Sequence, residues 1–228
     1  GSSTQEPDLV EVLPWGVREQ LTQEKSALGF YLSGHLFDEM ALEVRRFAKR
    51  PIEEVLETRE PQVLAGIVSD LRVVNGARGR TAIFRLDDGS EYIEAVAAEE
   101  LYDANRERLR EDELVIIQGK VQNDRFSGGL RLQCNAVWDL PSARARFGRY
   151  LTLPLRDKVL PLDDVVRTWP PRRVETEMGE RHEGLPIVVQ VERDAGAKLE
   201  MGDASRFWPS DEALARLRTV APEGRAVV

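Results

Sequence analysis

The loop Asn123-Asp124-Arg125-Phe126-Ser127-Gly128-Gly129 sets a guanidinium beside an aromatic ring in a glycine-rich turn. A ring so placed can stack on an unpaired nucleobase, contributing about 1 to 3 kcal/mol per base, and a guanidinium can pair with a phosphate. The competing reading is a ring folded back on the structure that carries the loop, and the residue types alone leave the two open. Further cations gather in two places, Arg72, Arg78 and Arg80 in one and Lys120, Arg125 and Arg131 in the other, with Asp70 and Asp124 as the nearest acids. Such charges either line a local positive cleft or lie scattered in solvent. Two more aromatics matter: Phe84 shares the phase of Ala82 and Leu86 and reads as core, whereas Tyr92 alternates with Ile93 and is the candidate for an exposed face.

Signals for catalysis are missing from the sequence. Two histidines, His35 and His182, and one cysteine, Cys134, have no metal-ligand spacing, so no metal site is expected. Neither a Gly-x-x-x-x-Gly-Lys phosphate loop nor a Gly-x-Ser-x-Gly elbow occurs. The carboxylate pairs Asp87-Asp88, Glu99-Glu100 and Asp163-Asp164 fall in turns or at helix starts, where solvated punctuation is the expected role. Cys134 falls inside a strand pattern and reads as a small buried side chain. The expectation is therefore a binding protein with no catalytic residues and no cofactor.

Five strand-like runs position the cationic loops: Gln62 to Val74, Arg80 to Leu86, Glu91 to Ala97, Leu114 to Gln122 and Leu130 to Leu140. A helical stretch, Glu99 to Leu109, stands between the third and fourth. Five strands with a helix after the third is the order of an OB-fold barrel, which binds oligonucleotides on strands two and three between the first and fourth inter-strand loops. The first run breaks near Asp70, where a bulge would help it bend. Asn75-Gly76 and Arg78-Gly79 predict a five-residue loop, and Asp87-Asp88-Gly89-Ser90 a hairpin turn.

The fold class is α+β: a helical lead-in over residues 1–60, an OB barrel over 61–141, and a small α/β C-terminal domain over 142–228. In the lead-in, Val17 to Leu32 carries a broken helical stripe, and Asp38 to Ala48 predicts a helix with Met40, Leu42, Val44 and Phe47 partly buried. Pro51 opens one more turn, and Gly1-Ser2-Ser3 reads as a tag remnant. After Pro141, a short basic helix is expected to leave Arg144, Arg146 and Arg149 in solvent. Leu162 to Thr168 suits a helix, Pro186 to Glu192 and Lys198 to Met201 suit strands, and Arg172 to Gly184 reads as a mobile loop. Ser210 is a candidate N-cap, with Asp211 and Glu212 at the positive end of the helix dipole and Leu214 and Leu217 forming its apolar stripe. Arg225 to Val228 predicts a last strand. Phe207 and Trp208, just before that helix, are either core or an interface anchor.

Hydrophobic residues make up 42% of the 228 and charged residues 32%, which fits a soluble globular chain, and no apolar run reaches a membrane span. The net charge of −8 opposes strong binding of nucleic acid, so any such contact must be local, weak and salt-sensitive.

The run Glu24-Lys25-Ser26-Ala27-Leu28-Gly29-Phe30-Tyr31-Leu32-Ser33-Gly34-His35 resembles the signature just before the OB domain of the bacterial DNA polymerase III α subunit. Glu113 to Val121 and Phe126-Ser127-Gly128-Gly129-Leu130 follow in matching order, although Leu36 stands where proline is usual. The resemblance implies a C-terminal fragment of a cytoplasmic, nucleoid-associated replicative polymerase, without that enzyme's catalytic domains. It implies single-stranded template near the barrel and a last domain that binds the clamp-loader τ subunit. The sliding clamp and other replisome proteins would be reached through the parent chain. On that basis Arg72, Arg78, Arg80, Tyr92, Lys120, Arg125, Phe126 and Arg131 are the DNA candidates, and Phe207, Trp208, Leu214 and Leu217 the τ candidates. The rivals are a barrel that only braces the polymerase, and an OB protein acting on tRNA or single strands outside replication.

Overall fold

A computed structural model of the chain describes residues 37–38, 40–155, 162–176, 178–191, 197–220 and 225–227. The expected stripe from Val17 to Leu32 and the signature from Glu24 to His35 lie outside the described residues.

Strands β1 (Gln62–Gly76), β2 (Gly79–Asp87), β3 (Tyr92–Ala98), β4 (Leu114–Asn123) and β5 (Leu130–Trp138) close into a barrel in the order β1-β2-β3-β5-β4. Alternation builds it: Leu64, Val68, Ala82, Phe84, Leu86, Ile93, Ala95, Ala97, Val115, Ile117, Val121 and Leu132 all point inward and are buried together. Phe84 is core, as its phase requires. The ladder between β1 and β2 shifts register between Ser69 and Arg72, with Asp70 at φ 52°, so the bulge expected near Asp70 is present. A second shift, between Gln118 and Gly119, lets β4 and β5 approach so closely that a Cβ at Gly119 would lie 2.3 Å from the Gln133 carbonyl oxygen. Cys134 is buried inside this packing, and burial pushes its thiol up to about 12.

Three local expectations fail inside the barrel region. The β1–β2 connection is a two-residue turn, Ala77-Arg78, because Gly76 and Gly79 pair and the strands run on through the expected loop. The helix after β3, α2 (Glu99–Ala104), is shorter than Glu99 to Leu109. Asn105 ends it, its side chain donating back to the Leu101 carbonyl at 2.9 Å, and tight turns carry the chain on to Leu109. The Asp87-Asp88 pair is buried, not solvated punctuation.

Asp88 is where the lead-in is fastened. The lead-in carries helix α1 (40–47) and a 3₁₀ turn at Ile52–Glu54. Asp88 accepts from Arg45 at 2.6 Å, from the Ile52 amide at 2.8 Å, and from the Ser90 hydroxyl at 2.6 Å. The helical stripe is Phe37, Val44, Phe47 and Ala48, which covers Ala65 and Ile67 of β1 and Ile116 of β4. β4 is thus buried on both faces at Ile116 and Ile117, where simple alternation expected one. Leu42, expected partly buried, points away and is exposed, and Phe37 and Asp38 are also helical.

Helix α3 (Leu140–Phe147) leaves the barrel with Asp139 as its N-cap, accepting from the Ser142 amide at 2.8 Å. Arg144 on this helix is buried, against the expectation of a solvated side chain. Its Nε and Nη2 donate to the two Glu43 oxygens at 2.5 and 3.0 Å, and Nη1 donates to Asp211 at 2.7 Å and to the Pro209 carbonyl at 2.9 Å. Beyond it lie β6 (Tyr150–Leu155), α4 (Leu162–Thr168), β7 (Arg172–Thr176), β8 (Gly179–Glu183), β9 (Ile187–Val191), β10 (Ala197–Glu200), α5 (Asp211–Val220) and β11 (Arg225–Val227). Four of these strands form the sheet β10-β9-β6-β11, with β6 and β9 parallel. β6 had no counterpart among the expected elements. The segment expected to be a mobile loop is the hairpin β7–β8.

The neighbouring acids Asp87 and Asp88 act oppositely on stability. Burial pushes both carboxyls up. At Asp88 the hydrogen bonds from Ser90, Arg45 and Ile52 outweigh it and leave the pKa low, whereas at Asp87 the bond from the Gly89 amide does not. A lowered folded pKa contributes stability that is present above the unfolded value of about 3.9 and lost as pH falls through the folded value. A raised one contributes stability present below the unfolded value and lost as pH rises through the folded value. Denaturant titrations of Asp88→Asn should therefore show a loss of about 2 kcal/mol at neutral pH that shrinks in acid. Asp87→Asn, which keeps the acceptor for Gly89, should gain stability at neutral pH, and equal losses from both variants would refute this assignment.

Candidate nucleic-acid interface

Side chains that alternate away from the barrel core form an outer face. Cross-strand pairing sorts them into rows: Arg72, Ile83, Val96, Gln133 and Lys120 in one, and Ser69, Arg85, Glu94, Arg131 and Gln122 in the next. Asp87 and Tyr92 pair at the end of β2 and β3, and Tyr92 is 48% exposed. The Arg85 guanidinium lies 4.6 Å from the Tyr92 ring centroid, a cation–π contact that holds the ring in the face. The half-buried Ile83 and Val96 give the rows an aliphatic floor.

Acids answer most of the cations on this face. Glu94 accepts from Arg131 at 2.5 Å and from Arg72 at 3.4 Å, Asp124 lies 3.2 Å from Arg131, and Asp70 lies 3.0 Å from Arg85. Arg80 is held by Glu99 at 2.7 Å and Asp103 at 2.9 Å on α2, so it braces the helix against β2. Hydrogen bonding with Glu99 is the main cause that raises the Arg80 pKa. Arg78, Lys120 and Arg125 have no ion pair among the described residues and are exposed. Of the expected DNA residues, then, Arg78, Lys120, Arg125, Phe126 and Tyr92 are available, while Arg72, Arg80 and Arg131 are engaged by carboxylates.

The β4–β5 turn is built around Asp124. Its amide donates to the Gly129 carbonyl at 2.8 Å, and the Gly128 amide returns to the Asp124 carbonyl at 2.9 Å. Its carboxylate accepts from the amides of Phe126 at 3.3 Å and Ser127 at 3.2 Å. Hydrogen bonding by Ser127 is the largest cause that holds this carboxyl below its ordinary range. Gly128 sits at φ 73°, where a side chain would be strained. These bonds close the turn on itself, and the Phe126 side chain is left 98% exposed. The folded-back alternative for this ring is excluded.

Arg85 and Glu94 were absent from the expected set. The signal that would have found them is phase: Arg85 follows inward Phe84, and Glu94 follows inward Ile93, so both must face out. In the C-terminal unit, Phe207, Leu214 and Leu217 form its core with Leu151, Leu153 and Ile187, so of the two readings of Phe207 the structure has the core one. Trp208 is also buried, with the Arg172 guanidinium 3.9 Å from its ring centroid. The cause is the isolated bridge between Leu185 and Phe207, which draws this segment against the sheet. Among the described residues no group of His, Cys, Asp and Glu has a metal-holding arrangement, and no helix is long and apolar enough to cross a membrane.

Residues 62–140 match the family of OB-fold nucleic acid binding domains. Over 205 residues the chain is 37% identical to DNA polymerase III subunit alpha of Pseudomonas aeruginosa, an alignment covering 89% of this chain and 17% of that protein. Over 229 residues it is 31% identical to the subunit of the same name from Escherichia coli K12, covering 96% and 19%. The chain is homologous to a segment of the DNA polymerase III α subunit. It spans less than a fifth of the length of these α-subunit relatives. Among solved structures, the second single-stranded DNA binding protein of Mycobacterium smegmatis aligns with 36% of this chain and 90% of its own, at 15% identity and a TM-score of 0.33.

The geometry of the β4–β5 turn separates two residues that lie two positions apart in sequence. Phe126→Ala should leave stability unchanged within about 0.5 kcal/mol, because the ring contacts solvent. Asp124→Ala should lower the melting temperature, because two turn amides and Arg131 lose their acceptor. Thermal melts followed by circular dichroism check the order, and a larger loss from Phe126→Ala would refute it.

Proposed function

We propose that this chain is a non-catalytic, C-terminal part of a bacterial replicative polymerase whose barrel guides single-stranded template. The observation that carries the reading is Phe126, held out by the Asp124-centred turn beside the unpaired Arg125. A ring exposed at the rim of such a barrel is placed to stack on a base, and Arg78 at the β1–β2 turn supplies a second cationic rim. Homology to the α subunit of a DNA polymerase supports DNA as the ligand. With three local cations unpaired on a body of net charge −8, the contact is weak and salt-dependent.

Fluorescence anisotropy with a labelled single-stranded oligonucleotide tests this on the whole chain. The triple variant Arg78→Ala, Arg125→Ala, Phe126→Ala should bind at least about ten-fold more weakly at low salt, from one lost stack and two lost phosphate contacts. Its plot of log affinity against log salt should be shallower by about 1.4. Equal binding by both proteins at low salt would sink the reading.

The bracing alternative, in which the barrel stiffens the polymerase without gripping DNA, is favoured by one observation: acids neutralise Arg72, Arg80, Arg85 and Arg131. Absence of any binding at low salt would select it. For the C-terminal unit we infer a role in binding the clamp-loader τ subunit, since its core is complete and leaves its surface for a partner. A chain ending at Tyr150 should lose capture by immobilised τ, and retained capture would defeat the assignment.

A further inference from the structure

Glu94 occupies the centre of the outer face with one oxygen on each of two arginines. Arg131 comes from β5, the strand next to its own, and Arg72 from β1, two strands away. Guanidiniums that hold one anion between them are suited to hold a nucleic-acid backbone phosphate in the same way. Arg131 also carries an independent sign of a provisional seat. Its terminal nitrogen serves both Glu94 and Asp124, yet its Nε is buried with no acceptor. A buried donor without an acceptor is costly, so the carboxylates hold this guanidinium in an arrangement that leaves one hydrogen bond unmade.

We propose that Glu94 stands in for a DNA backbone phosphate in the free protein, and that a phosphodiester of a bound single strand displaces it from Arg72 and Arg131. The inference rests on the single-strand reading above and adds a positioning residue to it. Glu94 keeps the face preorganised and electrically neutral between the unpaired rims at Arg78 and Arg125. A small anion meets no open site there. A strand steered in by the rims brings several phosphates at once, and one of them takes the carboxylate's place. Turning toward that phosphate gives Arg131 an acceptor for Nε as well as for its terminal nitrogens.

The test is oligothymidylate binding at several salt concentrations by the whole chain, by Glu94→Gln, and by Glu94→Gln combined with Arg72→Ala and Arg131→Ala. Glu94→Gln keeps the shape and removes the competing charge, so it should bind roughly three- to ten-fold more tightly, with a salt slope steeper by about 0.7 for each phosphate gained. The combined variant should lose that gain. In the wild type, the ¹⁵N–¹H signal of Arg131 Nε should move on saturation with oligothymidylate. Unchanged or weaker binding by a folded Glu94→Gln overturns the inference, and so does an Arg131 Nε signal that stays fixed, should the variant not fold. If the loop triple variant loses binding while Glu94→Gln equals wild type, the single-strand reading stands and this inference alone falls. If neither wild type nor Glu94→Gln binds, both fall together.

Discussion

The buried Arg144 guanidinium joins three stretches of chain. Glu43 comes from the lead-in, Asp211 and Pro209 from the C-terminal unit, and Arg144 itself from the helix that leaves the barrel. A guanidinium placed this deep must satisfy its donors, since a buried charge without partners is among the most destabilising features a fold can carry. Its fork satisfies that constraint with two parallel bonds to Glu43 and two more to the C-terminal unit. The direction in which α1, α3 and the start of α5 meet follows from those four bonds. The barrel's β1–β4 side is covered by helices, and among the described residues no helix packs over the outward face of β2, β3 and β5 that bears Arg85 and Glu94.

That open side is designed around compensation. A net-negative chain that bore a bare cluster of arginines would attract its own acids, and here Glu94, Asp70 and Asp124 stand directly against them. Among the described residues, Arg78, Lys120 and Arg125 are left uncompensated on this face. The consequence is a face that is neutral at its centre and cationic toward its rims, a pattern suited to transient guidance of a strand and poorly suited to independent, tight binding.

Local sequence described the barrel well because its strands obey a period of two, and their order with α2 after β3 leaves few ways to close. The turn residues were read less well: Asn75-Gly76 looked like a loop, but pairing between Gly76 and Gly79 extended both strands. The C-terminal unit was harder still. Its β6 contains Pro154, and the β7–β8 hairpin is made of charged residues with exposed faces, so neither showed the apolar alternation that marks a strand.

Local pattern was enough to read the five strands, the Asp70 bulge and the core role of Phe84, because each follows from contacts within a few residues or from phase along one strand. The exposure of Phe126 and the choice of which charges are free depended on the assembled fold. Arg80 and Arg125 are alike in sequence, yet Arg80 meets Glu99 and Asp103 while Arg125 meets no acid among the described residues. Arg144 and Arg146 sit in one helix, yet only Arg144 is buried. An ion pair depends on where two remote side chains arrive in space, and burial depends on what packs over them. Neither is written in the spacing of one segment.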